Sequence, residues 1–218
     1  MKLVVVGGQA RKVGKTSVIA GLIRGLNKLA WTAVKITHHD GDEGQDSPSA
    51  GELPGHVDFL LSEERDPKGN GDTSRYLVAG ARRSLWMRTR GAGLARALPG
   101  LLEALRGDEH VIVESNGLLR FLEPDVFLMV IDESSRDVKA SARQVLGRVD
   151  AFVSVRPGPE PRARTAMSVR MPEDRPVFLV AEGEWSNPDL CRFVSERVAS
   201  AGSRQWAVGS GHWAIGNG

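Results

Sequence analysis

The chain has 218 residues, 41% hydrophobic and 26% charged, with a net charge of +2. That is length for one large core in an ordinary globular composition, and it excludes disordered and fibrous classes. The near-neutral balance gives no footprint for nucleic acid, no apolar run nears membrane length, and the single cysteine, Cys191, excludes an internal disulfide and suits a reducing compartment. The expectation is one cytoplasmic domain over 1–218, with no membrane or nucleic-acid partner.

The first element is the most informative. Val4 to Ser17 reads V-V-V-G-G-Q-A-R-K-V-G-K-T-S. A short apolar run stops at two glycines, a polar loop follows, and Gly14-Lys15-Thr16 opens a helical pattern. This is the strand–loop–helix context of a phosphate-binding P-loop. The loop Gly8, Gln9, Ala10, Arg11, Lys12, Val13 and Gly14 would turn backbone N–H groups toward an anion. The helix start at Lys15, Thr16 and Ser17 adds free N–H groups and a positive dipole end. Lys15 would meet the outer phosphates, and the Thr16 hydroxyl would ligate Mg²⁺. The usual spacing is G-x-x-x-x-G-K-S/T; here five residues separate Gly8 from Gly14.

Further strands are expected at Ala33–Ile36, Ser84–Met87, Val111–Val113, Val126–Ile131, Ala151–Val155 and Val177–Val180, with a weak last one near Gln205–Val208. Most are continuous apolar runs, as in a parallel sheet covered on both faces. The first helix carries Val18, Leu22, Leu26 and Leu29 on one face, with Ile19 and Ile23 beside them. Between Gly91 and Arg106 the pattern is helical, with a break or kink expected at Pro99-Gly100. After Asp132 a helix is expected, capped by Ser134 or Ser135 and striped by Val138, Ala142, Val145, Leu146 and Val149. Another starts at Asn187-Pro188 and carries Leu190, Phe193, Val194 and Val198. Alternating β and α elements imply an α/β, doubly wound, mostly parallel sheet of about seven strands with helices on both faces. Ligands on such sheets bind at the carboxyl ends of the strands.

The stretch of about 40–71 breaks this rhythm. Asp40 to Asp66 holds nine acidic residues against one basic, Arg65. It reads as a mobile acidic insertion, a solvated excursion or a functional loop for a protein partner. Val57 to Leu61 reads as a small helix or an edge strand.

Glu114 ends the run His110-Val111-Ile112-Val113, at the carboxyl edge of a buried strand. An acid there, downstream of a P-loop, is a Mg²⁺ candidate. Lys35 closes the second strand and would balance phosphate charge, and Asp40 would reach the metal. His38 and His39, with acids nearby, raise a transition-metal alternative, although strand alternation points them to opposite sides. In Asp72-Thr73-Ser74-Arg75, Asp72 reads as a helix N-cap and a further metal or phosphate-side candidate. No N-K-x-D or T-K-x-D motif is present, so ATP and GTP stay open.

The loop Gly8 to Thr16, with its five-residue gap and V-G-K-T ending, resembles that of dethiobiotin synthetases. Asp72-Thr73-Ser74-Arg75 with Ala79-Gly80-Ala81 resembles molybdopterin-guanine-dinucleotide biosynthesis protein B (MobB), as does Lys35 followed by His38-His39-Asp40. Glu114 matches the V-E-G acid of both. Both families are P-loop NTPases related to MinD. The resemblance covers about the first 130 residues. The chain departs from it in the longer loop, in Glu114-Ser115-Asn116-Gly117, and in Ala10 where MinD-type proteins carry an early lysine. The resemblance implies a Mg-dependent ATP- or GTP-binding protein with weak hydrolysis or phosphoryl transfer, a MobB-like role in molybdenum cofactor biosynthesis and a homodimer. Lys15, Glu114 and Lys35 would serve catalysis, with Thr16, Glu114, Asp40 and Asp72 at the metal. The rival readings are a dethiobiotin-type ATP-dependent ligase and a nucleotide-gated adapter without enzymatic activity.

Overall fold

A computed structural model describes residues 1–39, 53, 57–133, 135–156, 172–181 and 183–202. In chain order its elements are β1 (Lys2–Gly8), α1 (Lys15–Gly25), β2 (Thr32–His39), β3 (Phe59–Glu64), α2 (Asp72–Val78), β4 (Arg83–Arg90), α3 (Gly93–Ala104), β5 (His110–Glu114), β6 (Val126–Ile131), α4 (Ala140–Arg143), β7 (Ala151–Arg156), β8 (Val177–Ala181) and α5 (Pro188–Ser200). The strands form one sheet in the order β3-β4-β2-β5-β1-β6-β7-β8. Every pairing is parallel except β3 with β4. This is an α/β, mostly parallel sheet of eight strands. The seven strands expected between β1 and β8 are present, and the Val57–Leu61 ambiguity resolves as the antiparallel edge strand β3.

Two apolar layers account for the architecture. One packs α3 and α4 on the sheet through Leu94, Leu98, Leu101 and Ala142 against Val5, Val113, Phe127 and Met129. The other packs α1, α2 and α5 through Val18, Leu22, Tyr76, Leu190 and Val194 against Val4, Val6, Ile112 and Leu128. Adjacent residues of β1, β5 and β6 thus enter opposite layers, which is why these strands read as unbroken apolar runs. Burying one such Val, Leu or Ile side chain is worth about 1.5–3 kcal/mol. β1 lies between β5 and β6, so the turn after Gly8 opens at a topological switch point.

Three local expectations are corrected. The helix after Asp132 is reduced to α4, with only four residues, and Ser135 does not cap it. Gln9 is the cause. Its Nε2 donates to the Ser135 and Asp137 carbonyls, its Oε1 accepts from the Asp132 N–H, and its carbonyl accepts from the Lys139 N–H. The backbone is satisfied without a helical ladder, while Val138, Val145, Leu146 and Val149 are still buried as the stripe requires. Pro99 does not break α3, which runs from Gly93 to Ala104. Its face is exposed, so the carbonyl it deprives of a partner lies toward water, while Leu94, Ala97, Leu98 and Leu101 anchor the other side. Asp72 is not an N-cap. Gly71 is, and the Asp72 carboxylate is taken by Lys35.

The Asn187 cap is as expected, with its side chain accepting from the Leu190 N–H at 2.7 Å. Ser134, Asp40, the segment Gln205–Val208 and residues 40–52 and 54–56 of the acidic stretch lie outside the described residues. Among the described residues no helix is long and apolar enough to cross a membrane.

Candidate functional site

The site is built from the end of β1 outward. The Gly8 N–H donates to Asn116 Oδ1 and the Gly8 carbonyl accepts from Asn116 Nδ2, both at 2.9 Å. The Gln9 N–H continues toward β6, donating to the Val130 carbonyl. The chain then turns through Lys12 (φ 60°) and Gly14 (φ 92°), both in the left-handed region. At Gly14 a side chain would be strained, and its Cβ would also stand 3.1 Å from Trp185 Cζ3. Val13 turns inward and joins the apolar layer under α1.

α1 then starts at Lys15 with no side-chain cap and no acidic residue in its first turn. The amides of Lys15, Thr16 and Ser17 have no partner within the helix by geometry. This is an open positive helix end, the arrangement that receives anions. Lys15 folds back across the loop. Its stem lies against Gly8, where a Cβ would come within 2.6 Å of Cδ, and its ammonium reaches within 3.4 Å of the Ala10 carbonyl oxygen. Burial holds the Lys15 ammonium below its ordinary pKa, and Lys35 and Arg11 push the same way against Glu114 and Asp72.

Glu114 is the hub. It is 7% exposed, and strand register places it opposite Val6 of β1 and Lys35 of β2. Its Oε2 accepts from Thr16 Oγ1 at 2.9 Å and from the Tyr76 hydroxyl at 2.6 Å. Its Oε1 stands 3.8 Å from Lys15 Nζ. Burial, then the Glu114 charge, drives the Tyr76 phenol far above its ordinary pKa, so the hydroxyl is the donor.

Thr16 and Glu114 test well against Mg²⁺. Both present hard oxygen donors, and the two oxygens stand 2.9 Å apart. Neighbouring ligands of an octahedral Mg²⁺ at about 2.1 Å are themselves roughly 2.9 Å apart. The ion keeps most of its waters or takes phosphate oxygens, so two protein donors suffice. Among the described residues no cluster of three His, Cys, Asp or Glu side chains stands ready for a metal. His38 pairs its Nδ1 with Thr89 Oγ1 at 2.9 Å.

The other expected residues fall around this centre. Lys35 and Asp72 pair with each other, and Asp72 also lies 3.6 Å from Arg75 Nη1. Arg75 Nη2 donates to Ser17 Oγ at 2.7 Å. So α2 brings Asp72, Arg75 and Tyr76 against β2, α1 and β5 respectively. Arg11 and Lys12 are exposed on the loop. Tyr76 and Asn116 were not legible as site residues. The one signal for Tyr76 is its place four residues after Asp72, on the same helical face. Asn116 had none, because its partner Gly8 is 108 residues away.

No protein-family model matches the chain, and no curated protein matches it in sequence. Solved structures with a related course of the chain include a MobB protein homologue from Bacillus stearothermophilus. It is 16% identical at TM-score 0.46, covering 92% of this chain and all of that one. LpxK from Aquifex aeolicus, in complex with ATP, is 16% identical at TM-score 0.46; 82% of this chain matches 53% of its length, so this chain spans about half of it. HypB from Helicobacter pylori, in complex with nickel, is 12% identical at TM-score 0.48, covering 90% and 86%. Superpositions this loose transfer no function, and the chemistry has to come from the site.

Proposed function

We propose that the chain is a Mg²⁺-dependent nucleotide-binding protein that takes ATP or GTP and hydrolyses it or transfers its phosphoryl group slowly. One observation carries the reading: Lys15 crosses the Gly8–Gly14 loop at an uncapped helix end, with the Thr16 hydroxyl on Glu114 beside it. Lys15 and the first-turn amides bind the β- and γ-phosphates. Thr16 and Glu114 are the residues that would hold Mg²⁺. A bound Mg²⁺ neutralises phosphate charge and polarises the phosphoryl oxygen. Lys35, opposite Glu114 in register and paired with Asp72, would add positive charge at the outer phosphates on exchanging that partner for a phosphate oxygen. The protein's contribution is therefore positioning and fixed charge rather than covalent chemistry.

The specific form of the proposal is a MobB-like role in molybdenum cofactor biosynthesis, as a single cytoplasmic domain. It rests on the resemblance of the Asp72–Arg75 and Ala79–Ala81 segments. The five-residue loop gap favours one second reading, an ATP-dependent ligase of the dethiobiotin type. Phosphate release that depends on an added carboxylate substrate selects the ligase.

The test is a calorimetric titration of ATP and GTP, in Mg²⁺ and in chelator. At least one nucleotide binds, Mg²⁺ tightens it, and Thr16→Ala removes that gain. Absence of binding by both nucleotides, or an undiminished Mg²⁺ gain in Thr16→Ala, overturns the proposal.

A further inference from the structure

Tyr76 is fully buried in the layer between α1, α2 and the sheet. Its ring needs only apolar neighbours, and a phenylalanine would fill the same space. The hydroxyl is a different matter. A buried O–H is costly unless paired, and this one is directed at Glu114 Oε2, the same oxygen that Thr16 reaches. A glutamate at a strand end has three side-chain torsions, so its carboxylate is not oriented by the backbone alone. Two hydroxyls from two helices orient it here. Thr16 arrives from α1 and Tyr76 from α2. The α2 helix is itself tied down by Asp72 on Lys35 and Arg75 on Ser17.

We infer that Tyr76 is a positioning residue whose hydroxyl fixes the Glu114 carboxylate against Thr16, so that the Mg²⁺ dependence of nucleotide binding runs through it. The inference rests on the nucleotide and Mg²⁺ reading above. Outer-shell partners of this kind act by presenting a ligand oxygen in one orientation, which an ion with strict geometry requires. The signature is thus a change in the Mg²⁺ gain, not a general loss of binding.

Tyr76→Phe keeps the ring and deletes the hydroxyl. The ratio of nucleotide affinity in Mg²⁺ to that in chelator is expected to fall about tenfold. A wild-type ratio in this variant overturns the inference and leaves Tyr76 a packing residue. A second measurement keeps the tyrosine and reads its surroundings directly. Tyr76 is the only tyrosine in the chain, so protein made with 3-fluorotyrosine gives a single ¹⁹F resonance. That resonance moves with Glu114→Gln in metal-free protein, and moves again when Mg²⁺ and nucleotide are added to the wild type. A resonance indifferent to both overturns the inference. Failure of the wild type to bind ATP or GTP sinks the nucleotide reading and the inference together. An intact wild-type Mg²⁺ gain that Tyr76→Phe leaves untouched sinks the inference alone.

Discussion

Lys15→Ala is expected to weaken polyphosphate binding about 100-fold, some 2.7 kcal/mol, the size of a lost charge-assisted contact to phosphate. It is expected to do so without weakening the fold. The two effects separate because of where the ammonium sits. The side chain is 20% exposed, and its partners are a long contact to the Ala10 carbonyl and an oxygen of Glu114 at 3.8 Å. Burial outweighs these and lowers its pKa, so the charged form is held at a cost to the folded state near neutral pH. A lowered lysine pKa means the folded chain binds fewer protons than the unfolded one. The cost is therefore present at pH 7 and fades as pH rises through the folded value toward 10.5. Urea unfolding should show Lys15→Ala equal to wild type or slightly more stable at pH 7, with the margin shrinking at alkaline pH. Calorimetry should show the binding loss in the same samples. A destabilised variant that still binds nucleotide at wild-type strength would mark Lys15 as a structural residue. The pairing of lost binding with retained stability is what a preorganised phosphate contact predicts, because the cost of burial is already met in the free protein.

The parts of the site carried by short-range pattern were legible, and those made by long-range pairing were not. Val4 to Val6 reads as a central strand because both of its faces are buried, and Glu114 stands out because a charge ends such a run. Gly14 and Lys15 follow from the local loop chemistry. Tyr76 looks like any apolar-layer aromatic, since only the fold brings its hydroxyl to a residue 38 positions away. Asn116 stood out only as a departure from the family pattern after Glu114, yet it clamps both polar groups of Gly8 and so sets where the loop begins. The pairing of Lys35 with Asp72 joins two residues that, taken separately, pointed to different tasks. The chain expected as one helix after Asp132 shows the same limit. Its apolar stripe was real, but a side chain on β1's exit decided the backbone.

That side chain makes Gln9 the position of largest expected effect on the fold. It is 1% exposed, and its amide gives two hydrogen bonds and takes one: to Ser135 O at 3.0 Å, to Asp137 O at 2.8 Å, and from the Asp132 N–H at 2.9 Å. Gln9→Ala removes all three and leaves a void beside them. Because the loop lies partly in water, the expected cost is about 2 kcal/mol in urea unfolding. Gln9→Glu should be worse, about 3 kcal/mol or more at pH 7, although it has nearly the same volume. It keeps the acceptor for Asp132 but turns two donors into a charged oxygen facing two carbonyls. Burial and those carbonyls raise the new carboxyl's folded pKa above its unfolded value of about 4.3. The folded variant then holds its proton longer, so its deficit against wild type is smallest below that pH and grows as pH rises toward neutrality. If Gln9→Glu matches wild type at every pH, the two donors are not what hold the 135–139 backbone out of a helix. If helicity by circular dichroism rises in Gln9→Ala, the segment is recovering the helix that its apolar stripe favours once the competing bonds are gone.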